Sequence, residues 1–132
     1  MLKNIGRHPL VITVVVASFI WNLALLVGVV FNLGFAHSRA AGGRYLEFPT
    51  GIRAVYLVQF LLVAWEFLIF ISLYKNKVTK PTWAPRFFVI VGILGTLVNA
   101  ASRSSNERIN VIPAIFITWA FWYLGVRKKS LL

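Results

Sequence analysis

Four apolar runs divide the chain, and short basic stretches separate them. The first covers residues 9–36 and reads PLVITVVVASFIWNLALLVGVVFNLGFA; the others span 54–74, 84–101 and 109–126. About 20 consecutive apolar residues carry a helix across the hydrocarbon core of a bilayer. The pattern therefore predicts an all-α polytopic membrane protein, a four-transmembrane-helix bundle forming a single membrane domain over residues 1–132. Lys3 and Arg7 precede the first run as in a signal peptide, but its apolar part is about twice the usual length of such a segment. It is expected to be a span.

Composition agrees with lipid as the solvent. The chain is 59% hydrophobic and only 13% charged, where a soluble domain carries about a quarter charged residues. Cysteine is absent, which excludes disulfides and thiolate chemistry. A net charge of +11 would suggest nucleic acid in a soluble protein. Here the basic residues lie between apolar runs, so cytoplasmic-loop bias and anionic lipid headgroups account for them, and no nucleic-acid partner is expected.

Loop charge also predicts orientation. The N-terminal arm, the second loop and the tail (Lys3, Arg7, Lys75, Lys77, Lys80, Arg86, Arg127, Lys128, Lys129) hold nine basic residues. The first and third loops (Arg39, Arg44, Arg53, Arg103, Arg108) hold five, together with Glu47 and Glu107. The excess places both termini in the cytoplasm and the protein in the cell membrane. The same bias argues against dual-topology exporters, which need near-balanced loops, and their motif residues are not seen.

The polar residues inside the spans are the candidate chemistry. Glu66 stands in LLVAWEFLIF as the one charged residue of ten, eight residues before the end of its run, or about 12 Å deep at 1.5 Å per residue. Ionisable groups at such depth face the bundle interior and mark function by default. Gln59 lies two turns earlier on the same helical face, and Ser18 and Asn22 share a face of the first span. In the third span Gly92, Thr96, Asn99 and Arg103 recur at four, three and four residues. Gly92, Gly95 and Thr96 predict a small-residue face on which another helix packs closely. The simplest expectation makes Glu66 a neutral, hydrogen-bonded tie between helices; the sharper one makes Glu66, with Gln59, Asn22 and Asn99, a proton or cation site.

The outer loops carry a network. Ser104 and Glu107 fit the S-x-x-E capping box, so the fourth helix is expected to start near Ser104 and to be kinked by Pro113. An Arg103–Glu107 pair is expected across this turn, with Glu47 and Arg53 facing it and Arg108 beside it. Asn99, Ser102, Arg103, Ser104, Glu107, Arg108 and Pro113 compose N-x-x-S-R-S-x-x-E-R-x4-P. This stretch, with the four-span layout, resembles short uncharacterised four-span bacterial membrane proteins, often actinobacterial. The resemblance implies the architecture and no activity.

An enzyme is not expected: no histidine pairs with an acid, and no metal-ligand cluster is visible, so no cofactor or metal is expected. His8 and His37 bracket the first span and cannot meet. The leading expectation is an accessory or structural subunit that associates with other membrane proteins or with itself. The second is a small oligomeric proton- or cation-coupled transporter or channel built on Glu66.

Overall fold

The computed structural model describes residues 2–127; Lys128 and Lys129 of the basic tail lie outside the described residues. All regular structure among the described residues is helical. The main helices are α1 (Pro9–Val30), α2 (Thr50–Tyr74), α3 (Ala84–Ala100), the single turn α4 (Ser105–Arg108) and α5 (Val111–Phe121). α5 widens into π-helical turns over Trp122–Arg127. Three segments are long and apolar enough to cross a membrane: Pro9–Val30, Thr50–Tyr74 and Ser105–Arg127. α3, at 17 residues, is shorter.

Two ends differ from the expected boundaries. α1 stops at Val30, six residues before its apolar run does. Asn32 takes the left-handed conformation (φ 55°), its N–H bonds Val29 O at 3.1 Å, and Leu33 N bonds Gly28 O at 2.7 Å. This Schellman arrangement satisfies the last carbonyls and turns the chain back. α2 ends the same way, with Asn76 at φ 56° and Lys77 N on Ser72 O at 2.8 Å. The fourth apolar run belongs to a helical stretch that starts after Ser104, as expected, and is interrupted within it. The chain breaks at Ile109–Asn110, between α4 and α5. Pro113 stands four residues beyond Ile109 and has no N–H to bond the Ile109 carbonyl, so the interruption falls where a proline disturbs a helix.

α1 packs against both α2 and α5, and α3 packs along α5. The main core gathers at one end of this arrangement: Phe19 of α1, Phe70 of α2, Phe88 of α3 and Phe121 of α5 are each 2% exposed or less. Phe88 and Phe121 stand 5.3 Å apart by ring centroid, and Phe19 and Phe70 5.5 Å. Trp65 closes the same end against Phe88 at 4.9 Å, which is where α2 meets α3. Such tilted ring pairs each contribute about 0.5–1.5 kcal/mol beyond their burial.

A smaller cluster sits at the opposite end, where Leu25 and Val29 of α1 meet Ala36, Ala40 and Phe48 of the first loop. That loop is a folded cap. Asn32 Oδ1 accepts from Phe48 N (2.9 Å), and Arg53 Nε donates to Val30 O (2.7 Å). The cap is stitched to the α3–α4 junction by Glu107, which accepts from Gly42 N (2.9 Å) and from Ser102 Oγ. Gly42 donates from a left-handed turn (φ 70°) open to few residue types.

The expected capping box forms by one arm. Ser104 Oγ accepts from Glu107 N at 3.3 Å, but the Glu107 carboxylate reaches Gly42 instead of turning back. Ser104 N is satisfied by Ser102 Oγ at 3.1 Å. The Arg103–Glu107 pair does not form among the described residues: Arg103 is exposed while Glu107 is buried at 9%. Glu47 is also exposed and has no hydrogen bond or ion pair to the third loop among the described residues, whereas Arg108 Nε donates to Ser102 O (2.8 Å). Glu107→Ala would orphan the Gly42 N–H and is expected to cost about 1–3 kcal/mol. Arg103→Ala should fall within about 0.5 kcal/mol of wild type. Thermal unfolding of the two variants in detergent checks the contrast, and equal losses would restore the ion pair.

Candidate functional site

Between the aromatic core and the cap lies a cavity of about 420 Å³ to which every main helix contributes. Asn22, Leu25 and Leu26 come from α1, and Tyr56, Gln59, Leu62, Val63 and Glu66 from α2. Val91, Gly92, Leu94, Gly95, Val98 and Asn99 come from α3, and Ala114, Ile117 and Thr118 from α5. Arg39, Ala40, Glu107 and Asn110 close its cap end. The lining is mostly apolar with a few polar groups, the usual character of a small-molecule site, and its volume lies in the usual range of about 300–1,000 Å³.

Glu66 is placed by helical register. Ile69, Phe70 and Leu73, at three, four and seven residues beyond it, are all buried in the aromatic core. Glu66 thus faces inward at the level where that core gives way to the cavity, and it is 6% exposed. Among the described residues it has no hydrogen-bond or ion-pair partner. The expectation of a hydrogen-bonded tie is therefore corrected. Its carboxyl oxygens open to the cavity and bond no group of the described residues, so the fold carries an acid that it does not itself satisfy.

The other candidates divide into two sets. Asn22 and Gln59 also line the cavity and have no partner among the described residues. Asn99 lines it but spends its amide on Gly95 O of its own helix (2.9 Å). Ser18 and Thr96 likewise bond back one turn, to Val14 O and Gly92 O, each at 2.7 Å. Gly92 does allow a close approach: a Cβ there would collide with Thr118 Oγ1 and stand 3.0 Å from Thr118 Cβ. Gly95 does not. Nothing lies within 4 Å of a Cβ built on it, because it faces the cavity opening and not a neighbouring helix.

Asn110 is a site residue that the expected set lacks. It is 5% exposed, accepts from Trp21 Nε1 at 2.9 Å and donates to Arg39 O at 3.1 Å, so one amide joins α1, the cap and α5. Its signal was present, since Glu107, Asn110 and Ala114 recur at three and four residues and form one polar-to-small face. The apolar count over 109–126 hides that face. Arg39 joins it at the cap end, and its guanidinium donates to Phe35 O at 2.8 Å.

The openings of the cavity are unequal. At the cap end Ala40, Glu107 and Asn110 are all 9% exposed or less. Along the side between α2 and α3, Leu94 and Val98 line the cavity and are still 57% and 69% exposed. The cavity is roofed and floored, and open laterally. Comparison of the chain with known protein families, with curated proteins and with solved structures finds no match.

Proposed function

We propose that this is a small four-span protein of the cell membrane, with both termini cytoplasmic, that binds a cationic solute or a proton at Glu66 and carries it as a transporter or channel. The observation behind this reading is a carboxyl group buried to 6% exposure, without a partner among the described residues, facing a cavity that leaves room for one. A group held unsatisfied inside a fold is stability given up to a function. Asn22 and the exposed Gln59 line the same cavity with amides that have no partner among the described residues. In this arrangement the exposed apolar residues of α2, α3 and α5 face acyl chains, and the exposed loop arginines Arg44 and Arg103 face anionic headgroups. No bond-making step is assigned to the site. Proton- and cation-driven flux into liposomes, wild type against Glu66→Gln, tests the proposal.

A second reading, an accessory subunit of a larger membrane assembly or of a self-associated one, is favoured by the lateral opening between α2 and α3. Gly95 there leaves space for another chain's helix. The two readings part on purification in mild detergent. Constant co-purification with a second membrane protein, and no flux from the chain alone, favours the subunit. For orientation, tags at both ends should be shielded from reagents added outside intact cells; labelling of either tag there overturns the assigned topology.

A further inference from the structure

The openings and lining of the cavity indicate more than a charge. We propose that the solute is an amphipathic organic cation that enters from the membrane through the α2–α3 opening, sets its cationic head on Glu66 and leaves its apolar part against the opening. This deepens the Glu66 reading and rests on it.

Size is the first argument. A proton needs no space, and a bare divalent ion takes several oxygen ligands at short range. Glu66 is the one acid at the inner level of the cavity, and no group of three His, Cys, Asp or Glu side chains converges among the described residues. A volume of about 420 Å³ in which Glu66 is the carboxyl left uncommitted, Glu107 being bonded to Gly42 N, suits an organic ion. Lining is the second. Leu62, Val63, Leu94 and Val98 make the wall around the opening, so a solute without apolar surface would leave them unused. Access is the third. The cap end is closed by buried Ala40, Glu107 and Asn110, while Val98 and Leu94 stay open at the side. In a four-span arrangement that side faces acyl chains, where an amphipathic cation concentrates before it binds.

Octyltrimethylammonium and tetramethylammonium carry the same head and differ by one alkyl tail, which makes them the probes. Binding of each radiolabelled cation to the protein in lipid nanodiscs, corrected for empty nanodiscs, is the measurement. The octyl compound should bind at about one per chain, at least ten times more tightly than tetramethylammonium, and at least ten times more weakly to Glu66→Gln. Gly95→Phe and Val98→Trp fill the opening from α3 at positions facing open space, so both should fold and both should weaken octyl binding. If the two cations bind equally through Glu66, the cation site stands and the amphipathic class falls. If both plugged variants bind the octyl compound as wild type does, lateral entry falls. If neither cation binds while proton flux still depends on Glu66, the organic solute falls and the transport reading survives. If that flux is missing too, both fall.

Discussion

Glu66→Gln is expected to fold as well as wild type and to lose cation binding by at least tenfold. Glutamine keeps the size of the side chain and can still hydrogen-bond, so the cavity keeps its shape. What disappears is one unit of negative charge. At about 4 Å and an effective dielectric near 20, that charge attracts a cation by about 4 kcal/mol; ionising the buried acid and drying both groups take back part of this, and a remainder of 1.4 kcal/mol is already about tenfold in affinity. Stability should move the other way. Glu66 has no partner among the described residues, so removing an acid that favours its hydration in the unfolded chain relieves a cost. The melting temperature in detergent should be unchanged or higher while flux in liposomes falls to background. A variant that melts lower and transports normally would return Glu66 to a structural role.

Gly92→Leu carries the largest expected loss of stability. The Cβ alone meets Thr118 Oγ1, and a rotation of that hydroxyl would break its 2.7 Å bond to Ala114 O and still leave Thr118 Cβ at 3.0 Å. A leucine side chain has no space beyond that and must part α3 from α5. Overpacking of this kind costs about 3 kcal/mol or more. Gly95→Leu, one turn on, projects into the opening and should cost less than about 1 kcal/mol, the helix propensity of leucine offsetting part of it. Thermal unfolding in detergent separates the two. Similar losses would mean that the small residues of α3 form one packed face after all.

How much of this was legible in the sequence depends on which physical effect each residue reports. Hydropathy located α2 and α3 to within a few residues, because apolar runs in them coincide with hydrogen-bonded helix. It overran α1, since Phe31–Ala36 are as apolar as the helix before them and only Asn32, an asparagine able to adopt a left-handed turn, marks the stop. The same index merged α4 with α5. Burial of Glu66 was readable from its neighbours at three, four and seven residues. Its lack of a partner was not, because that depends on where Asn22 and Asn99 point, and neither spacing nor depth decides a side-chain direction. Glu107 shows the reverse case: Arg103 is near in sequence, yet the backbone of Gly42, 65 residues away, takes the carboxylate.

In the proposed four-span arrangement the brevity of α3 has a consequence for the lipid around it. Seventeen residues reach about 26 Å at 1.5 Å each, whereas the 25 residues of α2 reach about 37 Å. A hydrocarbon layer is about 30 Å thick, and a short span is met by local thinning of the bilayer. In the proposed arrangement the thinned annulus borders α3, which is also the wall beside the lateral mouth. Phosphates would dip toward that mouth on one flank of the molecule alone, and bilayers of longer acyl chains should resist the dip and tilt the whole protein instead.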